Sequence, residues 1–305
     1  MNDSSICTVN LFKSYDSKYN AVDDISMDIP AGTIFGLLGP NGAGKTTIVK
    51  LLSGLLRPTK GSCYICGISP QNEPEKAHRI CGIVTETAKM YGHMTGMQNL
   101  AFFGQMFGMD AELSHDTAES LLKQFDLWDA RDKKLNQYST GMAKRLSLAR
   151  AIVHRPQVLI LDEPYAGLDS DSQYTVDELL SSLARTNGVT ILICTHQLEY
   201  ASSICGNFGI IDKGRLLASG DMEQLRVGAN MKIGAAVRLG DADTVENFKR
   251  CGGGWWRTEI ADEKDMPAII ADISANGHDI YEAKLEKPTI RDIYNKYVQR
   301  KGGQI

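Results

Sequence analysis

Residues 39 to 47 read GPNGAGKTT, and few folds can hold such a loop. The stretch satisfies the P-loop pattern G-x-x-x-x-G-K-[ST]. Gly39, Gly42 and Gly44 let the backbone turn tightly and bring its N–H groups close to phosphate oxygens. Pro40, Asn41, Ala43 and Thr47 complete the loop. Lys45 supplies a point charge for β- and γ-phosphates, and Thr46 offers a hydroxyl to Mg²⁺. The run TIFGLLG before the loop reads as a buried strand and TTIVKLLSGLL after it as a helix. Phosphates then sit at a helix N-terminus, where free N–H groups and the macrodipole favour anions.

A second segment, VLILDEP at 158 to 164, is an apolar run that ends in two acids. It reads as a buried strand delivering carboxylates at its C-terminal edge, where ligands bind in open α/β sheets. Asp162 there suits a Mg²⁺ ion, held directly or through water. Glu163 is expected to point elsewhere on the pleat and to polarise an attacking water.

A third motif, YSTGM at 138 to 142, opens the amphipathic helix AKRLSLARAIVHRP, with Ser139 as a natural N-cap. The order of these motifs, with AGLD after VLILDEP, resembles the ATPase subunits of ATP-binding cassette (ABC) transporters. The family's signature is usually written LSGGQ. Here Ser139 and Gly141 are kept, and Thr140 and Met142 stand where the pattern has Gly and Gln. The resemblance implies ATP and Mg²⁺ as ligands. It makes Asp169 the D-loop aspartate, His196 in CTH the switch histidine at the γ-phosphate, and Tyr15 in LFKSYD the ring that stacks on adenine, with Tyr19 as the alternative. Lys45, Glu163 and His196 then form the catalytic set. The family places Gln at the end of a strand resembling CGIVTE; this chain has Glu86. A carboxylate can still offer a hard oxygen to Mg²⁺, so Thr46, Asp162 and Glu86 are the expected metal ligands. The following segment, AKMYGHMTGMQNL, resembles the part that faces a transmembrane partner.

The expected fold class is α/β: a P-loop NTPase of ABC type over residues 1–227, with an inserted helical subdomain at about 96–154, and a small C-terminal α/β domain over 228–305. The C-terminal part reads as strand AAVRL, helix TVENFKR, strand WWRTEI, helix MPAIIADISAN, strand IYEAKL and helix IRDIYNKYV. KPTIRDIYNKYV resembles the closing helix of type-2 ABC exporter ATPases. One of Trp255 and Trp256 is expected in the core and the other partly exposed. Lys133, Lys134, Lys144 and Arg145 read as a solvated basic face.

Composition narrows the partners. A net charge of −4 gives no support to a nucleic-acid surface. Seven cysteines without framework spacing, and no signal peptide, point to a reducing cytosol. Cys63 and Cys66 form one C-x-x-C with no second pair, too little for a metal site. No stretch approaches the ~18 apolar residues that a membrane helix requires. Any path across a membrane must come from another chain. The resemblance therefore implies an exporter ATPase, peripheral on the inner face of the cell membrane. It would act as a dimer with a second copy or a homologous subunit, bound to a polytopic transmembrane subunit. In such a dimer each ATP lies between one chain's P-loop and the other's Ser139 and Gly141. The alternatives are a soluble ABC ATPase and an importer ATPase with a regulatory C-terminal domain.

Overall fold

The computed structural model describes residues 4–16, 19–85, 90–240 and 244–302. The chain divides into two compact units, Met1–Asp221 and Met222–Ile305.

The first unit is built on a six-stranded sheet in the order β5-β6-β7-β3-β8-β9. Its strands are β3 (Ile34–Leu38), β5 (Cys81–Val84), β6 (Val158–Asp162), β7 (Thr190–Thr195), β8 (Asn207–Asp212) and β9 (Arg215–Gly220). All neighbours run parallel except β9, which returns antiparallel to β8. The hairpin between β8 and β9 turns at Lys213 and Gly214, both at positive φ (47° and 78°), the conformation of a two-residue primed turn. Strands β3, β6 and β7 are buried along their whole length. That is why they read as unbroken apolar runs rather than alternating ones.

A second, antiparallel sheet has the order β2-β1-β4, from β1 (Ser4–Asp16), β2 (Tyr19–Pro30) and β4 (Lys60–Ile65). Its inner residues Ile6, Leu11, Val22 and Ile25 share one core with Leu37 and with Ile48 and Leu51 of α1 (Lys45–Leu52). Helix α2 (Pro74–Ile80) leads into β5. Within the C-x-x-C, Cys63 is buried on β4 and Cys66 lies past the strand end at φ 47°.

The expected helical insertion is present as α3 (Gly96–Met106), α4 (Ala111–Gln124) and α5 (Thr140–Ile152). Each start is fixed by a local side chain. Thr95 and Gln98 close a capping box on α3, and Asp110 caps α4. Arg145 does not belong to a solvated face. Its Nη1 donates to the carbonyls of Phe125 (2.9 Å) and Asp126 (3.2 Å), so it binds α5 to the end of α4. Helices α6 (Ser170–Asn187) and α7 (Leu198–Ile204) complete the unit, and Gly188 at φ 66° ends α6.

The second unit begins at α8 (Met222–Gly228), ahead of the expected break at 227. The reason is Arg226, which is 6% exposed. It donates two hydrogen bonds to the Glu223 carboxylate (2.8 and 2.6 Å) and one to the Ala261 carbonyl (3.2 Å), which binds α8 into this unit. The sheet runs β11-β12-β10-β13, all antiparallel. Its strands are β10 (Ile233–Leu239), β11 (Lys249–Gly252), β12 (Trp255–Ile260) and β13 (Ile280–Glu286). Helix α9 (Met266–Ala275) covers one face, where Val237, Leu239, Trp256 and Ile273 form the core. Helix α10 (Ile290–Gly302) follows β13. Trp256 is buried and Trp255 half-exposed, with Lys284 Nζ 4.5 Å from the Trp255 ring centre.

One expected element is absent: TVENFKR is not a helix. Residues 246 and 247 turn, with Asn247 at φ 62°, and Lys249 and Arg250 enter β11. Gly252, Gly253 and Gly254 all have positive φ (84°, 61° and 77°) and fold β11 back onto β12. The short hairpin takes the residues that helical periodicity had claimed.

Candidate nucleotide site

Strand order assembles the site. Strands β6, β7 and β3 lie side by side and parallel, with Asp162 opposite Cys194 and Leu38 opposite Thr195. Their carboxyl ends therefore present Asp162–Glu163, Thr195–His196 and the loop from Gly39 at one edge. The Gly39 N–H donates to the Thr195 carbonyl (3.3 Å), which fixes the loop to β7.

The loop tolerates no side chain at two of its glycines. A Cβ at Gly39 would collide with the Ile211 carbonyl. One at Gly44, which sits at φ 108°, would collide with the Ala21 carbonyl. The loop leads into α1, whose N-cap is Gly44, so free N–H groups face outward at its start. Ala43 N–H donates to Pro40 O (3.2 Å) and Gly214 N–H to Ala43 O (2.9 Å), closing the loop on itself and on the β8–β9 turn.

A cavity of about 350 Å³ opens here, and Gly42, Gly44, Lys45, Thr46, Glu163 and His196 line it. Lys45 is only 5% exposed. Its ammonium donates to the carbonyls of Gly39 (2.7 Å) and Pro40 (3.1 Å) and lies 3.7 Å from Glu163 Oε1. The Thr46 hydroxyl donates to Asp162 Oδ2 at 2.8 Å across 116 residues of chain.

Glu163 has left the strand. Its φ of +48° puts it in the left-handed region, costly for a side chain with a Cβ and held only by its surroundings. The turn, rather than the strand pleat, therefore aims this carboxylate. Oε2 accepts from the Thr195 hydroxyl (2.8 Å); Oε1 accepts from the His196 N–H (3.2 Å) and lies 2.8 Å from His196 Nδ1. Gln197 N–H in turn donates to Thr195 Oγ1 (3.1 Å). Burial, together with the charge of Asp162, pushes the neighbouring Cys194 thiol well up, so it stays protonated beside the site.

Tyr15 lies at the rim, 62% exposed, with its hydroxyl 3.5 Å from Thr47 Oγ1 and Lys13 Nζ 5.6 Å from its ring centre. Asn41 lines the cavity. Ser139, Thr140, Gly141 and Met142 do not line it. Ser139 caps α5, its Oγ accepting from the Met142 N–H (3.2 Å). Asp169 caps α6, and hydrogen bonds from Ser172 hold its carboxyl below the usual range. Glu86 lies outside the described residues.

Two contributors escape sequence reasoning. Thr195, the donor that orients Glu163, stands one place before His196 at the end of β7; that position was its only signal. Ala21, which walls the loop at Gly44, has none.

Known proteins are similar to this chain in sequence and fold. The ABC transporter family model matches residues 22–166. The daunorubicin/doxorubicin resistance ATP-binding protein DrrA of Streptomyces peucetius is 34% identical, over 88% of this chain and 81% of its own length. The Nod factor export ATP-binding protein I of Burkholderia lata is 40% identical over 69% of each chain. A solved ATP-binding subunit of an ABC transporter superposes with a TM-score of 0.69 at 27% identity, covering 75% of this chain and 94% of that one. The chain belongs to the ABC transporter family, as an ATP-binding and ATP-hydrolysing subunit.

Proposed function

We propose that this chain powers a membrane exporter, with ATP held at the P-loop edge and hydrolysed there within a dimer. The observation that carries the reading is the convergence of Lys45, Thr46, Asp162, Glu163 and His196 on one glycine-walled cavity. Export is named for the Nod factor relative, and drug resistance for the DrrA relative.

The residues present suit a magnesium ion. The Thr46 hydroxyl and the Asp162 carboxylate, 2.8 Å apart, form a hard-oxygen pair of the kind Mg²⁺ takes beside phosphates. Bound there, the ion would neutralise charge on the β- and γ-phosphates; Glu86 is a proposed further ligand. Lys45 has three donors. Two serve Gly39 and Pro40, which holds the ammonium at the mouth of the loop with one N–H for a phosphate oxygen. Glu163 orients the attacking water and takes its proton, while Thr195 and His196 hold the carboxylate in place. His196 keeps Nδ1 on Glu163 and offers Nε2 to the γ-phosphate. Tyr15 stacks on adenine.

The signature acts on the partner's nucleotide. Ser139 Oγ accepts from Met142, so its own proton remains available for a phosphate oxygen of the opposite subunit, and Gly141 gives that phosphate close access to the backbone. Asp169, proposed as the D-loop aspartate, would lie near the same dimer face. Among the described residues no helix is long and apolar enough to cross a membrane. A separate polytopic chain therefore supplies the path, with this subunit peripheral on its cytoplasmic side. An apolar groove of about 400 Å³, bordered by Ile83, Phe103, Met106 and Phe107, is the surface proposed to receive it. Met106 and Phe107 are 64% and 39% exposed there.

Calorimetric titration with Mg·ATP, together with steady-state turnover, tests the reading. Lys45→Ala removes the loop's side-chain cation and should severely weaken both. Unchanged affinity and turnover in that variant would contradict the assignment.

A further inference from the structure

Strand β13 ends the sheet of the second unit, with β10 as its one strand neighbour. Tyr281, Glu282, Ala283 and Lys284 are all exposed. Sheet edges are normally protected against pairing with another chain. The opposite edge, β11, follows that rule: it is four residues long, carries Lys249 and Arg250, and ends in Gly252. Strand β13 has seven residues, no proline and no run of like charge.

The ladder fixes which backbone groups of β13 face outward. Leu239 N–H donates to Gly254 O, and Gly240 N–H to Asp279 O. Odd residues of β10 therefore turn to β12 and even residues to β13. Arg238, Ala236 and Gly234 stand opposite Glu282, Lys284 and Glu286. Those three direct their N–H and C=O groups at β10, and Ala283 and Leu285 direct theirs away from the sheet; the ladder's register shift falls at Tyr281.

The sequence YEAKL is self-complementary about its centre. An antiparallel second copy centred on Ala283 sets Glu282 opposite Lys284 of that copy, and Lys284 opposite its Glu282. Ala283 meets Ala283 as a hydrogen-bonded pair, and Tyr281 stands opposite Leu285. The two charge pairs then fall at non-hydrogen-bonded positions, where side chains approach most closely. Neighbouring registers fail. A centre at Glu282 opposes Glu282 to itself, and a centre at Lys284 opposes Lys284 to itself and Glu282 to Glu286. A centre at Leu285 brings Pro288, beyond the strand, against Glu282.

We propose that β13 pairs with β13 of a second copy of this chain, centred on Ala283, and joins the two four-stranded sheets into one. This pairing uses no residue of the nucleotide site and needs no ATP. It keeps two subunits together through the stage of the cycle in which their nucleotide sites are empty.

Sedimentation equilibrium on the full-length chain without nucleotide tests it. The wild type should be a dimer. Glu282→Lys and Lys284→Glu, each alone, should weaken dimerisation about tenfold or more, since each creates two like-charge pairs per interface. Combined, the two substitutions should restore it to near the wild-type value. The combination also sets a lysine beside Arg238 and a glutamate beside Glu286 within each chain, so recovery can come only from across the axis. Ala283→Cys gives an independent readout. Hydrogen-bonded partners have Cα atoms about 5.5 Å apart, within disulfide range, so copper–phenanthroline should cross-link this variant and leave the wild type uncross-linked. A monomeric wild type, indifference to both single reversals, or a combined variant as weak as either one would overturn the pairing. ATP affinity measured on each variant confirms that the first unit is intact.

Discussion

Replacing Glu163 by Gln changes one atom of the site, and the structure dictates how the new amide must sit. Oε1 receives the His196 N–H at 3.2 Å, so an oxygen must stay there; two facing donors would repel. The NH₂ group then faces Thr195. Thr195 Oγ1 already accepts from Gln197 N–H at 3.1 Å and has a second lone pair for the amide, but its hydroxyl proton loses its acceptor. Losing one hydrogen bond to a charged group costs about 1.5–3 kcal/mol. Removing a carboxylate from a 9% exposed position offsets part of that cost. Folding and ATP affinity should therefore change little. Turnover should fall by about 10²–10⁴, because an amide cannot take the proton from water. That range corresponds to about 3–5 kcal/mol of barrier. The assay is steady-state phosphate release alongside calorimetric ATP affinity. Turnover within about threefold of wild type at normal affinity would refute the assignment of Glu163 as base.

Acid should weaken the first unit through His154. Its ring stacks on Phe107 at 3.8 Å, and burial pushes its pKa down from 6.5 to about 4. Between these values the unfolded chain binds the proton that the folded chain refuses, so this contribution is complete above pH 6.5 and fades as pH falls towards 4. The residue as a whole is only partly buried, so the loss is about 2 kcal/mol. Urea midpoints of wild type and His154→Phe should separate across that window; parallel curves would remove the role. A chain truncated after Asp221, where the first unit ends, should bind Mg·ATP with unchanged affinity. Loss of binding would mean that the nucleotide site depends on the second unit.

The nucleotide edge was legible because its chemistry is local. A glycine-rich loop between a strand and a helix, and acids at the end of an apolar run, leave few placements for Lys45, Thr46, Asp162 and Glu163. What sequence could not give was contact across distance. Thr195 matters because β7 lies beside β6, and Ala21 because β2 passes under Gly44. Arg145 looked like one charge in a basic row, yet its Nη1 is spent on two carbonyls at the end of α4. The second unit was legible where alternation was strong, as in β10 and β12, and misleading at TVENFKR. There a left-handed Asn247 and three left-handed glycines favour a hairpin over the helix that residue spacing suggested.

Subunit mixing tests most directly whether the P-loop of one chain works with the signature of another. Gly141 has room for a side chain within its own subunit, since a Cβ there would come no closer than 3.8 Å to Leu168. Gly141→Asp should therefore fold normally and disable only the phosphate contact made in trans. Lys45→Ala disables the P-loop. Each variant alone should be nearly inactive as an ATPase. Mixed, they form dimers in which one of the two sites joins an intact Lys45 to an intact Gly141, and activity should return. If the mixture stays as inactive as its components under conditions where the chains exchange, the site is not shared between subunits.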